Sequence, residues 1–430
     1  MNVVTLLFGS FGLMLLLGAP ITLALGVASM SALYFLGNDL VYLVQVAYTS
    51  VDSFPIMALP AFILAGALME YAGISKRLVK VAEAVAGPAT GGLASATVLA
   101  CLFFGAISGS GPATTAAVGM LMIPAMIRRN YDKGYASAIT ASSGGLGVVI
   151  PPSIPMVIYG VSGNQSIAKL FIAGFIPGLL IAGGLMLVNY HLCRKKGYRG
   201  TGHTWSGKDI LKALREGFWS LMAPLVILGG IYSGFFTPTE AAVVAIFYTL
   251  FVGVFIHKEL RWEGGAKSLE ACTWLTGRVL LIMFTARAFG RLLVQYRIPE
   301  IIANGLLAMT TNLYLIWAII IIFLIFVGMF METLATIMIL TPILLPVVTG
   351  LGIDPIHFGI IFVVTNEVAF LTPPLGVNLF VATQMADVSL ERLSLHVLPH
   401  ILAIVVCLLL LTLLPQLSLW LPHTLGLGKM

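Results

Sequence analysis

Two short segments of this chain place small hydroxyl side chains ahead of a pair of adjacent prolines. The first carries SGSG at 108–111 and then Pro151-Pro152, and the second carries MET at 331–333 and then Pro373-Pro374. Each proline pair removes backbone donors from a helix and leaves carbonyls of the preceding turn without partners. Freed carbonyls and hydroxyls are hard oxygen ligands, and the ends of interrupted helices carry partial charges that suit ions. Since few of these oxygens carry a permanent charge, the pattern predicts Na⁺ rather than a divalent ion.

The two segments are copies of one pattern at a fixed separation. Residues 108–126 and 330–348 match each other, and both prolines of the second pair follow those of the first by 222 positions. Paired, interrupted apolar segments are typical of the binding site of a secondary transporter. One such segment alone would be explained as well by close helix packing around Ser and Gly, but two favour ion sites. The predicted cation ligands are Ser108 and Ser110 with the carbonyls of Gly147, Ile150 and Pro152, and Glu332 and Thr336 with the carbonyls of Ala369, Thr372 and Pro374.

Charged residues inside apolar segments are further candidates. Glu332 lies in the middle of the second segment, and an intramembrane carboxylate costs about 2.5–3.5 kcal/mol on insertion, so a functional role is the default. We expect it to bind a cation or carry a proton, a role that Glu367 could share. Arg287 and Arg291 lie four positions apart on one helical face, and an Arg fork suits a carboxylate. Arg287 is expected to capture an anionic substrate or to pair with Glu332 or Glu367, with snorkelling to the interface as the alternative.

Uncharged polar side chains lie in or beside the two interrupted segments. They could bind substrate hydroxyls or satisfy one another. Together with Arg287 they form the predicted substrate-binding set, which comprises Ser142, Ser143, Thr365, Asn366 and Asn378.

Other titratable residues are expected to be structural. His396 and His400 have a spacing that suits a metal, but no third ligand is near them in the sequence. Glu240, in FTPTEAAVVA, has the position of an acid in the first turn of a helix, where it complements the helix dipole. The chain has no H-E-x-x-H, P-loop, G-x-S-x-G or dinucleotide fingerprint, which argues against an enzyme.

Composition indicates a polytopic helical membrane protein. Only 9% of the 430 residues are charged, 59% are hydrophobic and the mean hydropathy is +1.03, more apolar surface than a soluble core can hide. The N-terminus lacks a basic n-region, so we expect a retained span rather than a cleaved signal. The four cysteines are scattered and indicate buried apolar positions. Basic residues concentrate in clusters that the positive-inside rule places in the cytoplasm, at Lys76–Lys80, Arg128–Lys133, Arg194–Arg215 and Lys258–Arg278.

Apolar lengths and breaks predict an all-α polytopic membrane protein with inverted repeats. Each repeat has a re-entrant hairpin and a broken transmembrane helix, and both termini are periplasmic. Residues 3–18 and 20–36 form two short spans or one long helix kinked at Pro20, and residues 392–420 form one crossing. The chain is predicted to have four divisions. Residues 1–53 form scaffold spans with an interfacial helix at 39–53, and residues 54–190 form the first repeat, with hairpin 95–126 and broken span 134–162. Residues 191–274 form a cytoplasmic linker and a scaffold helix pair, and residues 275–430 form the second repeat, with hairpin 310–348 and broken span 356–386.

Six stretches resemble one known family in order and over essentially the whole chain. They are GISKRLVKVAEAVAG (73–87), GAISGSGPATTAAVG (105–119), IPPSIPMVIYG (150–160), GFFTPTEAA (234–242), ILTPILLPVV (339–348) and LTPPLGVNLFVA (371–382). They are similar to the large membrane subunit of tripartite ATP-independent periplasmic (TRAP) transporters. The family's hairpin serines fall on Ser108 and Ser110, and the acid of its second hairpin, commonly Asp, is Glu332 here.

The resemblance implies an elevator-type importer in the bacterial inner membrane, driven by a Na⁺ gradient through two or more Na⁺ sites. It also implies a small four-helix membrane partner and a periplasmic substrate-binding protein that delivers an organic acid, such as a C4-dicarboxylate or a sialic acid. The chain is shorter than fused members of the family, so the small partner is expected to be a separate polypeptide. The alternative function is a stand-alone Na⁺- or H⁺-coupled elevator carrier of organic anions.

Overall fold

The computed structural model describes residues 3–52, 54–198, 200 and 205–425, and within these residues the chain is helical without strands. Helices α1 (Val3–Leu16) and α2 (Ile21–Phe35) separate at Pro20 and pack along each other. The first apolar stretch is therefore two short helices, not one kinked helix. Helix α3 (Val41–Val51) occupies the segment predicted to lie at the interface.

The first repeat contains the predicted hairpin and broken span. Helix α4 (Ala58–Tyr71) extends a 3₁₀ turn at Phe54–Met57, and the two together are long and apolar enough to cross a membrane. The break at Pro151-Pro152 bends the second predicted crossing by 41°. The remaining helices are α5 (Ile74–Ala86), the hairpin arms α6 (Gly92–Ser108) and α7 (Gly111–Arg128), the broken span α8 (Lys133–Gly144), α9 (Leu146–Val149) and α10 (Ile154–Ser162), and α11 (Ile167–Lys196).

Three helices connect the repeats. They are α12 (Gly207–Glu216), α13 (Phe218–Tyr232) and α14 (Pro238–Phe251), which continues as a π-helical turn to Ile256. Thr237 and Glu240 form a capping box at the start of α14, in which each side chain bonds the other's backbone amide. The interpretation of Glu240 as a first-turn acid is confirmed.

The second repeat has helix bounds that follow the first. Helix α18 (Thr333–Gly350) begins and ends 222 positions after α7, and helix α19 (Pro355–Phe370) begins 222 positions after α8. This agreement, with hairpin and break in the same order, confirms the two hairpins and two broken helices. The helices are α15 (Trp262–Gln295), α16 (Ile298–Met309), the hairpin arms α17 (Leu313–Gly328) and α18 (Thr333–Gly350), the broken span α19 (Pro355–Phe370) and α20 (Val377–Ala386), α21 (Leu390–Leu413) and α22 (Gln416–Thr424).

Two boundaries differ from expectation. The crossing predicted at 392–420 ends at Leu413, because Pro415 lacks an amide donor and a separate helix, α22, follows. Helix α15 begins at Trp262, so Arg278 lies inside a 34-residue helix and not in a loop. Of the described helices, five are long and apolar enough to cross a membrane, or up to eight if each bent pair is one span. The fourfold division of the chain stays a prediction.

Candidate ion and substrate site

The tip of hairpin 1 contacts the break of the first broken span. The backbone amide of Ile154 donates to the Gly109 carbonyl oxygen at 3.1 Å. Gly109 adopts φ +63°, and a Cβ atom there would lie 2.9 Å from the carbonyl oxygen of Pro152. Only glycine fits this close approach at a positive φ. The predicted serine tip and the carbonyl of Pro152 are therefore brought together.

Hydroxyl and carbonyl oxygens converge behind this tip. The Thr114 hydroxyl donates to the Ser110 carbonyl oxygen at 2.7 Å and lies 2.8 Å from the Ser108 hydroxyl. A Cβ atom on Gly147 would collide with the Thr114 hydroxyl and lie 2.7 Å from the Ser110 carbonyl oxygen. Four of the five predicted residues therefore lie close together, namely Ser108, Ser110, Gly147 and Pro152, and Thr114 lies with them. The fifth, Ile150, is on the same break.

The residues present at this tip fit a monovalent cation. The converging atoms are hydroxyl and carbonyl oxygens, which are hard ligands without a permanent charge. The hairpin and the break approach each other so closely that a Cβ atom on Gly147 would not fit between them. Within the described part of the chain, no group of three or more His, Cys, Asp or Glu is placed to hold a metal ion.

Hairpin 2 repeats this arrangement. The Thr336 hydroxyl donates to the Glu332 carbonyl oxygen at 3.0 Å, as Thr114 does to Ser110. The backbone amide of Leu375 donates to the Met329 carbonyl oxygen at 3.1 Å, which joins the tip to the second break. The two halves therefore share a hydroxyl-to-carbonyl bond at each tip.

The second predicted cation set is less uniform. The Thr372 hydroxyl donates to the Val368 carbonyl at 2.8 Å, and the Thr372 amide donates to the Ala369 carbonyl at 3.0 Å, so both groups are engaged within the break. Pro374 is exposed. The Asn366 amide oxygen is buried without a hydrogen-bond partner and would lie 3.0 Å from a Cβ atom on Gly328. Asn366, predicted to bind substrate, therefore lies beside the second cation set.

The carboxylate of Glu332 pairs with Arg278 of α15, with 2.7 Å between Oε2 and the guanidinium. The expectation that Arg287 pairs with Glu332 or Glu367 is wrong. Sequence reasoning missed Arg278 because the residue was grouped with the basic cytoplasmic loop. The available signal was that Arg278 lies shortly before Arg287 in the sequence, at a position that one helix could share with it.

The predicted substrate residues divide into two places. Ser142 and Thr365 donate to carbonyls of their own helices, from Ala138 and Ile361. Ser143 has a buried hydroxyl without a partner, and the Asn378 amide donates to the Ala141 carbonyl at 3.3 Å. Ser142, Ser143 and Asn378 therefore lie on or against the first broken span, Thr365 lies on the second, and all four are buried.

Arg287 lies apart from that group. Its guanidinium donates to the carbonyl oxygen of Val161, at the end of α10, at 2.9 Å, and its Nε is buried without a partner. It lines a cavity of about 500 Å³ with Gln165 and Thr239. It also lines a second cavity, of about 190 Å³, beside Arg291. Arg287 thus presents a cation to open space, as an anion-binding residue must.

A small cavity of about 60 Å³ lies between the two hairpin tips. Its walls include Ser110 and Pro112 of hairpin 1, Glu332 and Thr333 of hairpin 2, and Phe370 at the second break. The two predicted ion sites therefore face one shared space.

His396 and His400 do not share a ligand site. The His396 ring lies 3.2 Å from a carboxylate oxygen of Asp132, and the His400 ring lies 3.1 Å from the Asn189 amide oxygen. Both contacts join α21 to neighbouring elements.

Comparison with known proteins relates the chain to one transporter family. A profile of the tripartite ATP-independent periplasmic transporter, DctM component, matches residues 8–417. The chain is 45% identical over 415 residues to the isethionate TRAP transporter permease protein DctMQ of Oleidesulfovibrio alaskensis, and this covers 96% of the chain and 65% of that protein. It is 36% identical over 436 residues to the C4-dicarboxylate TRAP transporter large permease protein DctM of Rhodobacter capsulatus, covering 98% and 99%.

The fold is similar to that of a solved transporter. The crystal structure of the YdaH transporter of Alcanivorax borkumensis superposes with a TM-score of 0.60 at 16% identity, covering 95% of this chain and 97% of that one. At this identity the similarity shows the fold alone.

Proposed function

This chain belongs to the family of DctM components of tripartite ATP-independent periplasmic transporters, and on that basis we propose that it is the Na⁺-coupled transport subunit of a system that imports a small organic acid across the bacterial inner membrane. Its relatives are named as transporter permeases, which confirms a carrier rather than an enzyme.

The observation that carries the Na⁺ coupling is the matched pair of hairpin tips. Thr114 bonds the Ser110 carbonyl at 2.7 Å and Thr336 bonds the Glu332 carbonyl at 3.0 Å, and both tips contact a proline break. Ion ligands shared between a tip and a break would hold the two together. Because both tips line one cavity, ion binding at either tip would stabilise the same closed arrangement, which gives positive coupling between the two ion sites.

The substrate is proposed to be an anion of the carboxylate or sulfonate class. Arg287 supports this, because a half-buried guanidinium facing cavities of about 190 and 500 Å³ can receive an acidic group. Relatives are named for isethionate and for a C4-dicarboxylate, and both ligands are organic anions.

Transport is proposed to follow an elevator movement of the hairpins and broken helices against the remaining helices. Small residues at close contacts support a sliding movement. A Cβ atom on Gly66 of α4 would lie 3.2 Å from the Cα of Ser108, and one on Gly290 of α15 would lie 3.0 Å from Pro342. A small four-helix membrane subunit and a periplasmic binding protein are the proposed partners.

Uptake in proteoliposomes tests this function. Isethionate, a C4-dicarboxylate and sialic acid are supplied with candidate partners, with Na⁺ outside or with K⁺ in its place. We expect accumulation of one of these acids only under an inward Na⁺ gradient. Accumulation driven by a proton gradient in the absence of Na⁺ would contradict the proposal.

A further inference from the structure

Glu367 is a buried carboxylate that no described basic residue neutralises. It lies on α19 and is 1% exposed, and neither carboxylate oxygen has a hydrogen-bond partner within the described part of the chain. The acid of hairpin 2 differs, because Glu332 has Arg278. An isolated charge in the interior of a membrane protein is costly unless it takes up a proton, pairs with an opposite charge or binds a cation. Glu367 therefore points to a proton or a cation as its ligand, and the groups around it decide between the two.

The Glu367 carboxylate packs against the backbone of Gly145, the residue at the equivalent position of the first repeat. Glu367 follows Gly145 by the 222 positions that separate the two proline pairs. A Cβ atom on Gly145 would overlap the Glu367 carboxylate, so the acid fills the space that this glycine leaves free. Equivalent residues in direct contact mark the axis that relates the repeats. One carboxylate thus lies where the two halves meet.

Two more buried oxygens beside this contact lack partners. They are the hydroxyls of Thr115 and Ser143, both on fully buried side chains. A Cβ atom on Gly144, which lies between Ser143 and Gly145, would collide with the Thr115 hydroxyl. Unpartnered side chains from α7 and α19 therefore contact Gly144 and Gly145, and the third, Ser143 of α8, immediately precedes these two glycines in the chain. Their oxygens are hard ligands with one negative charge among them, which suits a monovalent cation.

We propose that Glu367, Thr115 and Ser143 hold a Na⁺ ion at the contact between the repeats, separate from the sites at the two hairpin tips. The inference extends the proposed Na⁺ coupling and rests on it. Gly147 of the first predicted site lies two positions from Gly145, and Ala369 of the second lies two positions from Glu367. The central ion would therefore connect both broken spans.

Counting bound Na⁺ tests this site without relying on transport. The full-length protein in nanodiscs is equilibrated with radioactive Na⁺, and bound ions per protein are compared between wild type and Glu367→Gln. We expect the variant to bind one Na⁺ fewer. Glu300→Gln is the control, because that acid is exposed beside Arg297 at 3.9 Å, and it should bind as many ions as wild type.

A second variant keeps the test valid if Glu367→Gln does not fold. Thr115→Val retains the shape of the side chain and removes one ligand oxygen, so it should weaken one class of Na⁺ site about tenfold, the effect of losing one such ligand. Equal ion counts and affinities in wild type and these variants would overturn the central site. Absence of Na⁺ binding by the wild type would instead overturn the proposed Na⁺ coupling.

Discussion

Thr114 is the side chain that the geometry adds to the first ion site. Its hydroxyl lies 2.8 Å from that of Ser108 and next to Gly147. Thr114→Val keeps the volume and removes the oxygen, so the Na⁺ concentration for half-maximal uptake should rise about tenfold. The control is Thr140→Val, because the Thr140 hydroxyl bonds only the Ala136 carbonyl of its own helix. An equal shift in both variants would assign Thr114 to helix packing.

Arg278 should oppose cation binding at the second tip. Its guanidinium lies 2.7 Å from the Glu332 carboxylate and so places a positive charge beside a predicted ligand. Arg278→Gln should therefore lower the Na⁺ concentration for half-maximal uptake, by up to about fivefold, since partly exposed pairs contribute about 0.2–1 kcal/mol. Arg297→Gln, which removes an exposed cation on α16, should leave it unchanged. A higher Na⁺ concentration for half-maximal uptake in Arg278→Gln would show that the ion pair supports the site.

The sequence predicted site residues where the repeat exposed them. Ser108, Ser110, Gly147 and Pro152 lie close together because the hairpin tip contacts the break, and their role as ion ligands stays a prediction. Thr114 was missed although Thr336, its counterpart, was named, and comparison of the repeats alone would have added it. The partner of Arg287 could not be found in this way, because it is the backbone carbonyl of Val161 and every residue has such a carbonyl.

The broken helices begin with matched aspartate caps that differ in their charged contacts. Asp132 caps α8 and Asp354 caps α19, each accepting backbone hydrogen bonding from the first turn. Asp132 also contacts Arg392 and His396 of α21. Asn is a good cap but has no charge, so Asp132→Asn should lose only these charged contacts, about 0.2–1 kcal/mol, while Asp132→Ala should lose about 0.5–2 kcal/mol more. Asp354→Asn should be nearly neutral in the same thermal unfolding measurement.

The pH dependence of the Asp132 effect has a defined sign. Burial tends to raise the pKa of Asp132, but the hydrogen bond from Tyr135 and the charges of His396 and Arg392 outweigh it, and the pKa is lowered overall. A lowered pKa contributes stability above the unfolded value of about 3.9, and this is lost as the pH falls through the folded pKa. The difference between wild type and Asp132→Asn should persist from pH 6 to 8 and shrink below about pH 4. A difference that stays constant or grows below about pH 4 would contradict these charged contacts.

Helix boundaries show why part of the fold was harder to predict. The hairpins and breaks follow from Gly and Pro, which act through local geometry. Pro20 and Pro415 mark positions where a helix can be interrupted, but apolar length does not distinguish a kink from a turn. Whether the chain continues or forms two helices, as α1 and α2 and also α21 and α22 do, was therefore left open by the sequence. Charge was misleading for Arg278, because its contact with Glu332 involves a hairpin that is distant in the sequence.

The orientation of the whole molecule is predicted with the basic clusters in the cytoplasm. In a cysteine-free background, a cysteine replacing Lys195 at the end of α11 should not react with an impermeant thiol reagent in sealed cells. A cysteine replacing Asn312, between α16 and α17, should react. Both should react after the cells are opened. Labelling of position 195 from outside would contradict the inverted topology.

The complete protein is expected to depend on partners for transport. A carrier supplied by a binding protein can keep a weak site of its own, because docking delivers substrate at high effective concentration. Purified alone in liposomes, the chain should therefore show negligible Na⁺-driven uptake of isethionate, a C4-dicarboxylate or sialic acid. Adding the small membrane subunit and the substrate-loaded binding protein should restore uptake, whereas the binding protein of an unrelated system should not. Strong Na⁺-driven uptake by the chain alone would contradict the tripartite proposal and support a stand-alone elevator carrier.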